Sequence, residues 1–151
     1  MYTYRAKLYR VIDGDSVELN IDLGFSVWVN EVSIRLLGVD TPETRTKDLL
    51  EKHFGLLASD YVLEKLIDAE DIIVTTQLDR ADKFGRMLGT IWVDGEEKSI
   101  NAQLLEKSLG VEYKGQNKSE VKAQHINNFK ELVENQEVKL SKDLQELYNQ
   151  L

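Results

Sequence analysis

The sequence has no cysteine, a single proline and only two histidines among its 151 residues. The missing cysteine excludes disulfides, thiolate catalysis and Cys-containing zinc sites. With histidine confined to His53 and His125, a multi-histidine metal centre is disfavoured and a Ser-His-Asp triad has little to draw on. The N-terminal stretch from Met1 to Lys7 lacks the apolar run of a signal peptide, and no segment reaches transmembrane length. The chain therefore reads as cytoplasmic, with no membrane partner. Basic charge is also in short supply: 19 Lys and Arg against 27 Asp and Glu give a net charge of −8 and a pI near 4.8. That balance opposes the basic footprint usual in nucleic-acid binders. Chemistry in this chain must run on carboxylates and arginines, with or without a bound cation.

With 42% hydrophobic and 30% charged residues, the chain is an ordinary globular protein, long enough for one real core and short for two. Strand-like sequence runs from Tyr4 to Ile12, and Asp13-Gly14 is a two-residue hairpin signal. The return strand alternates, with Val17, Leu19, Ile21 and Leu23 apolar and Ser16, Glu18, Asn20 and Asp22 polar. Parity sets Asp15 on the face of Val17 and Leu19, at the mouth of the sheet. Gly24 makes a second turn, and Val27 to Val39 forms a third strand in which Asn30-Glu31 marks a bulge or short turn. Thr44 to Lys52 reads as a polar loop, and Phe54 to Ile67 as a helix on apolar spacing.

Ile72 to Leu78 and Met87 to Val93 are further strands, with a charged loop between them and a second hairpin signal at Asp94-Gly95. Ser99 can cap a short helix through Leu105, and a last short strand covers Leu109 to Tyr113. Strands without regular strand-helix alternation predict an α+β protein: a five-stranded antiparallel OB-type β-barrel with about three attached helices. Composition shifts after Gly115, giving a barrel domain over 1–115 and an amphipathic helical extension over 116–151. The seam of that extension is Phe129, Val133, Leu140, Leu144, Leu147 and Leu151, interrupted by Gln136. It either packs on the barrel or pairs with another chain, as self-association or with a protein partner. His125 lies in it without an assigned role.

The stretch Ile34-Arg35-Leu36-Leu37-Gly38-Val39-Asp40-Thr41-Pro42-Glu43 organises the rest. An apolar strand carries an arginine in its middle, opposite in parity to Ile34 and Leu36, and breaks at the only proline. Two carboxylates and a threonine surround the break. A core strand needs none of these polar groups, whereas a site for a hard metal ion and a phosphate needs all of them.

The segments Val11-Ile12-Asp13-Gly14-Asp15-Ser16-Val17, Ile34 to Glu43, and Asp82-Lys83-Phe84-Gly85-Arg86 together resemble the staphylococcal (thermonuclease-type) nuclease family. They stand in the family's order at compatible spacing, and Ser99 to Leu105 looks like its later helix. The resemblance covers roughly Tyr4 to Tyr113. It implies a calcium-dependent phosphodiesterase, with magnesium as the other candidate ion, that cuts DNA and RNA with little sequence preference and leaves 3′-phosphates. On matching positions it implies Asp15 and Asp40 as metal carboxylates, with the Thr41 carbonyl as a third ligand. Arg35 and Arg86 become the phosphate clamp, and Glu43 the general base or water-positioner. Lys83, Phe84 and Tyr113 are weaker candidates for substrate contact, along with Arg80.

Oxygen-only ligands suit a hard cation, and forked guanidinium contacts to phosphate oxygens cannot be copied by lysine. The sequence departs from the family in being acidic, in carrying phenylalanine at 84 where tyrosine is frequent, and in a longer segment from Asn20 to Val32. The competing reading is a non-catalytic nucleic-acid or protein binding module on the same fold. Such modules lack these carboxylates and arginines, and this chain keeps them.

Overall fold

The structure, a computed structural model, describes residues 2–81 and 86–151, and the side chains of all of these except 78–81. Five strands, β1 (Tyr2–Asp13), β2 (Ser16–Asp22), β3 (Trp28–Leu36), β5 (Ile72–Ala81) and β6 (Met87–Val93), close into a barrel. Its order is β1-β2-β3-β6-β5. The short strands β4 (Val39–Asp40) and β7 (Val111–Glu112) form a separate antiparallel pair. Helices α1 (Leu49–Ile67), α2 (Ile100–Glu106), α3 (Lys118–Glu134) and α4 (Lys142–Asn149) complete the chain. This is the expected α+β barrel with helices attached.

One pairing within the barrel is parallel: β3 meets β6 at Ile34–Met87, Arg35–Leu88 and Leu36–Gly89. The other four are antiparallel. The parallel closure is short, and Asn101 of α2 staples its end. Its amide donates to Leu37 O at 2.9 Å and Gly89 O at 3.1 Å, and its carbonyl accepts from Ile91 N at 3.2 Å. Buried backbone groups need such partners wherever the ladder stops.

The alternation read in β2 holds for the core, where Val17 and Leu19 are fully buried together with Ile34, Leu36, Val74 and Ile91. Helix α1 lids the barrel with Ala58, Val62 and Leu66, and α2 adds Ile100 and Leu104. The other face of β2 is covered as well. Ser16 and Glu18 are buried, and Glu18 is paired with Arg10, whose Nε donates to Oε1 at 2.6 Å. A buried carboxylate needs such a partner.

Several local readings shift. Glu31 has φ 57°, and the β2–β3 register slips between Leu19–Val32 and Ile21–Val29, so Asn30-Glu31 is a bulge. Helix α1 begins at Leu49, several residues before Phe54, because the Asp48 side chain accepts from Leu50 N and Glu51 N at 3.1 and 3.2 Å. Asp94-Gly95 turns the chain, with φ values of 49° and 71°, but leads into α2 instead of a hairpin.

The first hairpin turns on Gly14-Asp15, one residue later than read, with Asp13 pairing with Ser16. Gly14 has no positive φ. What demands glycine there is contact, since a Cβ would lie 2.7 Å from Ala58 Cβ and 3.0 Å from Thr41 Oγ1.

The extension is two helices, broken where Gln136 takes φ 59°. Phe129 is buried and stacks on Phe54 of α1 with ring centroids 4.1 Å apart and planes at 9°. Leu132 joins them in a second apolar cluster with Leu50, against which Leu140, Leu144 and Leu147 pack. The seam packs on the domain through α1. Leu151 stays exposed.

Candidate functional site

The candidate site gathers at the end of β3, where the first hairpin, the β4 segment and α3 meet. Arg35 leaves the strand away from the core, as parity requires, yet only 13% of its side chain is exposed. Its NH1 donates to Val39 O at 2.6 Å and Leu36 O at 3.2 Å. The same nitrogen lies 3.4 Å from Asp15 Oδ2, and NH2 reaches Asp40 Oδ1 at 3.3 Å. One guanidinium thus stands between two carboxylates that are 25 residues apart in sequence. Its backbone bonds fix the fork's direction before any ligand arrives.

Asp15 is buried at 8% exposure. Its Oδ2 accepts from Thr41 N at 3.0 Å, and its Oδ1 accepts from Ser16 Oγ at 3.2 Å. Burial pushes its carboxyl up from the ordinary aspartate range, against the lowering influence of Arg35 and the Thr41 amide. Arg86 joins through the same serine, NH1 donating to Ser16 Oγ at 2.9 Å. Thr41 is buried, and its Oγ1 has no partner among the described residues.

Glu43 is exposed, but desolvation of its carboxyl raises its pKa, helped by the negative charges of Asp15, Asp13, Asp40 and Glu51. Its backbone is held from below. At Gly55 of α1 a Cβ would lie 2.7 Å from both Pro42 O and Glu43 O, so α1 and this segment approach as closely as backbone allows. Thr44 Oγ1 ties the segment to Asp13.

Five of the site residues read from sequence, Asp15, Arg35, Asp40, Thr41 and Arg86, are joined by this network, with Glu43 two residues beyond Thr41. Tyr113 is 43% exposed beside them, with Arg35 Cζ 6.0 Å from its ring centroid and its N–H donating to Gly38 O at 2.9 Å. Lys83 and Phe84 lie outside the described residues, as does the side chain of Arg80.

Two participants were not read from sequence. Ser16 links Arg86 to Asp15, and its signal was its place directly after Asp-Gly-Asp. His125 reaches in from α3, its Nε2 2.8 Å from Asp40 Oδ2. Its only signal was its spacing, four residues before Phe129 on the apolar face of that helix.

Among the described residues no three acid or histidine side chains form a ready-made metal cage. What converges is two carboxylates sharing one arginine. Their donors are all oxygen, and burial disfavours the charged form of Asp15. That set fits a hard divalent ion that keeps open positions for water and phosphate.

A family model described as "Staphylococcal nuclease homologue" matches residues 33–141. The chain belongs to the staphylococcal nuclease family. The match takes in the Arg35–Glu43 stretch and runs on through α3; Asp15 lies before it. Relatives of the family include the Staphylococcus intermedius protein named Thermonuclease, 32% identical over 66% of this chain and 54% of its own length. The SPbeta prophage-derived endonuclease YokF of Bacillus subtilis (strain 168) is 31% identical over 68% of this chain and 32% of its own. The Escherichia coli "Protein ParB" is 26% identical over 73% and 58%. The chain therefore spans little more than half of these relatives at most. No helix among the described residues is long and apolar enough to cross a membrane.

Proposed function

We propose that this staphylococcal nuclease family member is a calcium-dependent phosphodiesterase that hydrolyses DNA or RNA with little sequence preference. The observation that carries the reading is Arg35, held by backbone carbonyls between Asp15 and Asp40 at 3.4 and 3.3 Å, with Glu43 three residues on. Asp15, Asp40 and the Thr41 carbonyl would hold the ion, for which magnesium is the other candidate. A bound divalent cation supplies charge against the phosphate and order to the attacking water.

The protein's own groups do the rest. Arg35 and Arg86 grip the non-bridging phosphate oxygens, and these contacts strengthen as negative charge grows there. Glu43 accepts the proton of the attacking water; in the metal-free protein desolvation and the neighbouring carboxylates raise its pKa. Water adds to phosphorus, the bond to the 5′ oxygen breaks and that oxygen takes a proton from solvent, leaving a 3′-phosphate and a 5′-hydroxyl. Tyr113 stacks against a base or sugar at the edge of the site. The domain boundary near Gly115 belongs to the same proposal: the barrel carries the chemistry and the segment from 116 encloses it.

The test is cleavage of single- and double-stranded DNA and RNA in calcium, in magnesium and in EDTA, with end-group analysis of the products. Calcium-dependent cleavage leaving 3′-phosphates is expected. Equal degradation in EDTA would sink the metal reading. Oligonucleotide binding without cleavage in either ion would replace the enzyme with a binding module.

A further inference from the structure

Helix α3, through the His125 that received no role from sequence, supplies a contact to the heart of the site. His125 is buried at 6% exposure. Its ring is 6.3 Å from that of Phe129 at an interplanar angle of 23°, and Phe129 stacks in turn on Phe54 of α1. The imidazole therefore sits at the end of an aromatic column that fixes where it stands. Its Nε2 is 2.8 Å from Asp40 Oδ2. An ionised carboxylate only accepts, so Nε2 is the donor in this contact, and Nδ1 has no partner among the described residues.

We infer that His125 is a positioning residue for Asp40 and that docking of α3 completes the metal site. Asp40 sits on a two-residue strand, and its side chain is 25% exposed, so its own backbone leaves its carboxylate free to turn. Arg35 holds Oδ1 from the barrel side, at 3.3 Å. His125 holds Oδ2 from the helix side, and between them the plane of the carboxylate is set. Groups that orient a ligating carboxylate in this way are worth about 10–100-fold in metal affinity. Asn128, one turn further along α3, donates to Gly110 O at 3.0 Å and anchors the same helix face beside β7, the partner strand of Asp40.

The inference rests on the metal reading above, and the experiment separates the two. Calcium alone is titrated by calorimetry into the full chain, into Asp40→Asn, and into His125→Phe and His125→Gln. Phenylalanine keeps the aromatic column and removes the donor, whereas the glutamine amide can stand where Nε2 stands. Expected are calcium binding by the unaltered chain, its loss in Asp40→Asn, and affinity weakened about 10–100-fold in His125→Phe. His125→Gln should recover most of it. Melting temperatures in EDTA separate this from a merely structural role, because such a role lowers stability without the recovery by glutamine.

If phenylalanine prevents folding, His125→Met, of glutamine's length without its donor, takes its place. Unaltered affinity in His125→Phe alongside a dead Asp40→Asn would overturn the inference and leave the metal reading standing. Equal loss in the phenylalanine and glutamine variants would overturn it too. No calcium binding by the unaltered chain would overturn both.

Discussion

Glu96 and Glu106 each meet a lysine at 2.6 Å, and those hydrogen bonds, from Lys65 and Lys98, hold both carboxyls below the usual glutamate range. Asp15 and Glu43 are pushed the other way, first by desolvation and then by neighbouring carboxylates, Asp40 and Asp13 acting on Asp15 and Asp15, Asp13, Asp40 and Glu51 on Glu43. These two acids beside α2 are matched one to one with lysines on the surface. At the candidate site Asp13, Asp15, Asp40 and Glu51 all lie within electrostatic reach of Glu43, with Arg35 shared between Asp15 and Asp40. Local pairing satisfies the first group. The second is held in place by barrel, helix and loop despite its charge, an arrangement that a bound cation relieves.

Changing the shared cation should break this contrast most. Arg35→Ala is expected to lower kcat/KM on single-stranded DNA by about 10²–10³-fold, as loss of one transition-state donor does. Next comes the support from below. Gly55→Ala would ordinarily add about 1 kcal/mol to an exposed helix. Here its Cβ meets two carbonyls at 2.7 Å, so the melting temperature should not rise, and displacement of Glu43 should cost up to about 10²-fold in rate.

Asp15→Asn sharpens the contrast through stability. A carboxyl with a raised folded-state pKa costs nothing below its unfolded value of about 3.9 and costs most once ionised in both states. In EDTA the variant should therefore melt above the unaltered chain, by a margin that grows as pH rises from about 4, and calcium should no longer raise it. The smallest effect is expected from Glu96→Gln. Its lowered pKa stabilises above the unfolded value of about 4.3, and that contribution fades as pH falls through the folded value. The two melting curves should converge in acid, differ little at neutral pH in about 1 M salt, and leave cleavage unchanged.

Much of the site's composition could be read before any fold was known. Asp15 followed from strand parity, and Arg35, Asp40, Thr41 and Glu43 from a stretch too polar for a core strand and broken by Pro42. The helix cap at Asp48 was legible in principle, since Glu51 stands three residues on, yet the polar run from Thr44 read as loop. Gly14 shows a harder limit: its neighbour Asp13 made it resemble a turn glycine, whereas contact with Ala58 and Thr41 decides it.

What the sequence determined alone is therefore the chemistry on offer, oxygen donors and arginines without thiol or clustered imidazole, and the elements that carry it. Periodicity reveals which face of an element is apolar, because that depends on neighbours three or four positions away. It does not reveal what covers the face. The parallel closure of β3 on β6, the burial of Arg35 between two aspartates, and the contact of His125 with Asp40, 85 residues apart, are decided by tertiary packing. Except for Asp40 beside Arg35, their partners are distant along the chain and leave no local mark on it.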